Sequence, residues 1–98
     1  MSVDVKTREA LNLKNLRLPT GIPVLAIEVA DEVDWTGDEA LRVTVVIDED
    51  VSDATLMGPD SLRMKRAIRE SLLANGITLF PYIFVTKPSE RLVANEED

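Results

Sequence analysis

The sequence predicts an α+β fold: a two-layer sandwich, a three-stranded sheet covered by one long helix, with a short N-terminal helix, in the order αββαβ. Three observations predict it. The segments "VLAIEVADEV" and "ALRVTVVIDE" alternate apolar and polar residues with the period of two that marks a half-buried strand. The segment that follows Gly58-Pro59 spaces its apolar residues as a helix does and stops at Gly76. A last apolar stretch, "ITLFPYIFVT", reads as a strand that is apolar on both faces.

In chain order, Asp4 is a candidate cap for a short helix over 5–14, and Leu16 and Leu18 continue as an extended arm. Pro19, Gly21 and Pro23 stop any regular element there. In the first strand Leu25, Ile27, Val29 and Val33 point inward. In the second, Leu41, Val43, Val45 and Ile47 do so, with Arg42, Thr44 and Asp48 outward. Thr36-Gly37-Asp38 joins the two as an antiparallel hairpin. A polar connection then leads to the helix, with Pro59 in its first turn and Asp60 or Ser61 as its cap, running to Asn75. Its inner arc is Met64, Ala67, Ile68, Ser71, Leu72 and Ala74. The domain division is an N-terminal helix or arm over 1–22, a ββαβ core over 23–87, and a charged tail over 88–98 expected to be disordered. The αββαβ order over residues 5–86 resembles the type II KH fold and ribosome-binding-factor-like domains. The resemblance is one of element order alone. The GXXG loop with which KH domains clamp a nucleic-acid backbone is missing, since no two of Gly21, Gly37, Gly58 and Gly76 lie three apart. No site residue is carried over.

Composition bounds the function. Ninety-eight residues fit one domain. There is no cysteine, which suits a cytoplasmic location, and no histidine. Zinc, haem and iron–sulfur cofactors are therefore not expected, and histidine-based acid–base chemistry is excluded. No secretory signal and no membrane-length apolar run is visible, so no membrane partner is expected. The net charge of −7 is unevenly spread: residues 23–50 hold nine acidic side chains and one basic, residues 61–76 four basic and one acidic. Overall acidity disfavours nucleic acid as a partner, although a local basic patch keeps RNA binding open.

Four constellations are candidates for function. The carboxylates Asp48, Glu49, Asp50 and Asp53 are the one place where a divalent-metal-dependent activity is conceivable. They miss the calcium-loop pattern, with Asp53 where glycine is required and Pro59 where a bidentate glutamate is required, and so read as a solvated turn. Trp35, amid Asp31, Glu32, Asp34, Asp38 and Glu39, is either an exposed anchor or, the reading its parity with Val29 and Val33 favours, folded back on the sheet. The basic helix face holds Arg66 and Arg69 beside Leu62 and Leu73. Its ordinary reading is a solvated face with arginine stems over the leucines; its functional reading is a surface for RNA, DNA, an acidic protein or the acidic hairpin of a second copy.

The fourth is the aromatic strand. Phe80, Tyr82 and Phe84 share one face, Ile77, Leu79, Pro81, Ile83 and Val85 the other, and Pro81 places the strand at a sheet edge. The helix can cover one of these faces; the other is to be covered by the N-terminal leucine arm, by a second subunit, or left as a base-stacking platform. The expectation is a non-enzymatic protein–protein interaction module without cofactor, homodimeric in one version. Its anchors are Trp35, Phe80, Tyr82 and Phe84, with Leu62, Arg66, Arg69 and Leu73 completing the contact; RNA binding through helix 61–75 is the alternative.

Overall fold

The structure, a computed structural model, describes residues 5–90. Its elements are α1 (Val5–Ala10), a 3₁₀ turn (Leu13–Asn15), β1 (Val24–Val33), β2 (Glu39–Ile47), α2 (Asp53–Leu56), α3 (Pro59–Ala74) and β3 (Phe80–Thr86). The sheet order is β1-β2-β3, with β1 antiparallel and β3 parallel to the central β2. This is the predicted α+β sandwich.

The core lies between the sheet and α3. Leu41, Val43, Val45 and Ile47 of β2 are fully buried against Met64, Ile68 and Leu72 of α3. The two sets repeat at the periods of a strand and a helix, so each element buries a single stripe. Val29 of β1 and Ile83 and Val85 of β3 complete the layer. The ends of α3 have local causes. Gly58 is the N-cap with Pro59 at the first helical position, so the expected Asp60 or Ser61 cap is not used: proline needs no partner for the N–H it lacks. At the other end the Gly76 N–H donates to Leu73 C=O and the Ile77 N–H to Leu72 C=O, with Gly76 at φ 78°. This Schellman arrangement requires a left-handed residue, and Ile77 joins Leu72 in the core.

Several details depart from expectation. The bulge between Val24 and Ala26 turns Leu25 out of the inward row, so Val24 packs against the core in its place. Val33 keeps inward parity but is exposed, because it sits at the tip of an edge strand. The N-terminal helix stops at Ala10 rather than residue 14. Part of the polar connection forms α2, capped by the Ser52 hydroxyl, which accepts from Thr55 N–H. The third strand begins at Phe80, Ile77–Leu79 being loop. Residues 88–90 are helical; the rest of the expected disordered tail, 91–98, and the Asp4 cap lie outside the described residues.

The N-terminal arm does not cover the aromatic face. Ala10 and Leu11 are buried in the core on the α3 side, where Ser71 Oγ donates to Ala10 C=O at 2.6 Å. The small side chains of Ala10 and Ser71 allow the two helices this close approach, which the aromatic strand does not offer.

Candidate interaction surface

The face of the sheet turned away from α3 is built from three strands in fixed register. Ala40, Arg42, Thr44 and Val46 of β2 lie opposite Phe80, Tyr82, Phe84 and Thr86 of β3. On the other side they face Glu32, Ala30, Glu28 and Ala26 of β1. Since successive side chains alternate, the burial of Val43, Val45, Ile83 and Val85 under α3 forces the three rings onto the opposite side. There Phe80 is 56% and Phe84 47% exposed, and Phe80, at the start of the strand, also lines a groove with Leu72 and Leu73 of α3.

The rings are ordered. Phe80 and Tyr82 meet edge to face, centroids 5.0 Å apart at 69°. The Arg42 guanidinium lies 5.0 Å over the Phe84 ring, and its Nε donates to Glu32 Oε2 at 2.8 Å. One arginine therefore ties the acidic strand to the aromatic one. That hydrogen bond, with a second from the Val33 N–H, holds the Glu32 carboxyl below its usual range. The result is a flat surface graded from carboxylates on β1 to rings on β3. It offers stacking and apolar contact to a partner, with charged groups to orient it.

Trp35 is not folded back on the sheet. It is 92% exposed at the hairpin tip. The tip is internally bonded: the Asp34 carboxylate accepts from Thr36 N–H, Thr36 Oγ and Asp38 N–H. The Gly37 N–H donates to Asp34 C=O, with Gly37 at φ 91°. These bonds, led by the Thr36 hydroxyl, keep the Asp34 carboxyl below its usual range. They also fix the turn residues in a conformation that leaves the indole no sheet surface to pack on.

On α3 the stripe Leu62, Arg66, Arg69 and Leu73 faces outward. The arginine stems do not bury the leucines, which stay 69% and 66% exposed. Leu73 lies beside Leu79, Phe80 and Pro81 in an apolar groove of about 210 Å³ with Arg69 at its edge. A wider groove of about 600 Å³ between the arm and α3 holds Arg17, Arg63 and Arg66, but also Glu9 and Glu70. Arg63 there is paired with Asp60 at 3.2 Å.

The eight predicted contact residues thus fall on three surfaces. Phe80, Tyr82 and Phe84 sit together on the sheet; Leu62, Arg66, Arg69 and Leu73 sit on α3; Trp35 stands at the tip. Phe80 and Leu73 meet at the groove where sheet and helix surfaces join. Sequence reasoning missed Arg42 and Glu32 as members of the aromatic face. The outward parity of Arg42 was visible, but not that β3 would lie next to β2 and bring Phe84 under it. At the acidic turn, Glu49 accepts from Ser89 Oγ at 2.7 Å and Ser89 N–H at 3.0 Å, which lowers its carboxyl, while Asp48 accepts from Asp50 N–H. Among the described residues no three carboxylates converge as a metal set. Comparison with family models, with curated proteins and with solved structures finds no match to this chain. Among the described residues no helix is long and apolar enough to cross a membrane.

Proposed function

We propose that this chain is a small, non-enzymatic interaction module of the cytoplasm, and that the Phe80–Tyr82–Phe84 face of its sheet binds a protein partner. The observation that carries the reading is that two phenylalanines, each about half exposed, stand side by side with Tyr82 on the sheet face opposite the buried row of β2 and β3. Exposed rings held in place by an ion-paired arginine cost little ordering entropy on binding, and aromatic and arginine residues dominate protein hot spots. The carboxylates of β1 favour a partner whose contact surface is basic on that side. Affinity capture with the wild-type chain and with Phe84→Asp tests this. A partner retained by the wild type and by Leu62→Asp, but lost with Phe84→Asp, supports the reading. Retention by Phe84→Asp removes it.

The second reading, RNA binding through α3, rests on the groove that brings Arg17 and Arg66 together. It predicts affinity at about 50 mM salt that falls steeply as salt rises and is lost in Arg66→Glu/Arg69→Glu. The two glutamates in the same groove, and the net charge of −7, weigh against it.

A further inference from the structure

The exposed indole and the apolar groove lie at the same end of the molecule. β1 ends at Val33 opposite Glu39, where β2 begins, and the next β2 residue, Ala40, pairs with Phe80 at the start of β3. The hairpin tip bearing Trp35 and the groove formed by Leu73, Ile77, Leu79, Phe80 and Pro81 are therefore neighbours across the top of the sheet. Their chemistry is complementary. The hairpin segment that carries Trp35 also holds Asp31, Glu32, Asp34, Asp38 and Glu39; the groove is lined in part by α3, whose Arg69 is among its lining residues. The groove, at about 210 Å³, is smaller than the ~300–1,000 Å³ of small-molecule sites. It is on the scale of one large side chain. Trp35 does not occupy the groove of its own chain, being 92% exposed.

We infer that two copies of this chain exchange hairpin tips, each inserting Trp35 into the Leu73–Pro81 groove of the other. Two complementary features side by side on one end satisfy a two-fold axis running between them: Trp35 of one copy meets the groove of the second, and the reverse contact forms at once. Had tip and groove lain at opposite ends, the same contact would propagate into filaments instead of closing. Each buried indole brings up to ~250 Å² of contact area, a substantial share of the roughly 800 Å² per partner that a standard interface needs. The Asp34-centred turn holds the tip in place before contact, so little conformational freedom is lost. The acidic tip against the basic helix of the second copy offsets the repulsion of two chains of net charge −7. The inference goes beyond the interaction reading: it uses the end of the molecule, shares Phe80 with the sheet face, and leaves Tyr82 and Phe84 open to another partner.

The sole tryptophan of the chain is its own reporter. Sedimentation velocity and Trp35 emission are followed together from micromolar to millimolar protein. The expected result is a dimer whose formation coincides with a shift of emission to shorter wavelength. Leu73→Asp, at a position 66% exposed in the monomer and so safe for folding, abolishes both. Arg69→Glu weakens association by roughly five- to tenfold, as added salt does. Mixing is the decisive arm. Leu73→Asp retains its indole and Trp35→Ala retains its groove, so titrating one with the other forms a single contact and shifts the emission. A wild type that stays monomeric throughout, or a dimer whose indole remains solvent-exposed, overturns the inference. A dimer lost in Phe84→Asp but kept in Leu73→Asp also overturns it, and moves self-association to the sheet face; loss only in Leu73→Asp leaves the sheet face to be judged by its own capture experiment.

Discussion

Truncating Phe84 to alanine separates an open aromatic face from a hidden part of the core. Phe84 is 47% exposed, so truncation forfeits about half of the ~1.5–3 kcal/mol that full burial of a large apolar side chain provides. Loss of the ring beneath Arg42 adds ~0.5–1 kcal/mol, the scale of an exposed cation–π contact. The expected total is about 1.3–2.5 kcal/mol, against the ~3–5 kcal/mol of a core Phe→Ala change. Ile68→Ala is the internal control. Ile68 has no exposed surface at the centre of α3, and its truncation should cost ~2–5 kcal/mol, a large share of the ~5–15 kcal/mol total stability of a typical domain. Urea denaturation at low protein concentration measures both. Far-UV circular dichroism is the proper signal, since Trp35 is already exposed in the folded chain and reports little on unfolding. A Phe84→Ala cost of 3 kcal/mol or more, equal to that of Ile68→Ala within error, would refute the reasoning. The ring would then be covered in the folded protein, and the proposed binding face would be core.

Three further predictions follow from local geometry. Gly76→Ala should cost ~1–2 kcal/mol in the same assay, because φ 78° is strained for an L side chain while no atom lies near enough to clash; Gly76→Asn should cost less. Ser71→Ala removes the donor to the Ala10 carbonyl and should lose about 1 kcal/mol, with amide exchange quickening in α1 before α3; uniform protection would deny that this bond anchors the arm. Glu49 should titrate below the ordinary glutamate range, and Ser89→Ala should move its midpoint upward in an NMR titration. Since the folded value lies below the unfolded one, the Ser89 contact stabilises the fold above the ordinary carboxylate range. That contribution disappears as pH falls through the lowered value. A Glu49 midpoint indifferent to Ser89→Ala would show that the contact does not persist in solution.

The periodicities carried most of the fold. Period two in β1 and β2, helical spacing in α3 and the Gly76 stop were each legible because local patterns and the final packing agree there. The misses have separate causes. Leu25 lost its inward place to a bulge, and a one-residue shift in register reverses the face of a side chain without any local sign. The arm docked on α3 because Ala10 and Ser71 are both small, a match between residues 61 positions apart in the chain. Trp35 has the parity of a core residue, but the Asp34-centred turn takes it out of the strand before parity can act.

By itself the sequence determined that the last strand would be apolar on both faces and that Pro81 would place it at an edge, because alternation and a missing N–H are local properties. It also determined that cysteine and histidine chemistry had no residues to work with, since the chain contains neither. Which face α3 would take, and so which would stay open, was decided by the tertiary structure. The helix took the aliphatic side of β3, where Ile83 and Val85 continue the buried row of β2, and left the rings outside under Arg42. The described part of the arm packs into the core through Ala10 and Leu11 beside α3, not over the rings.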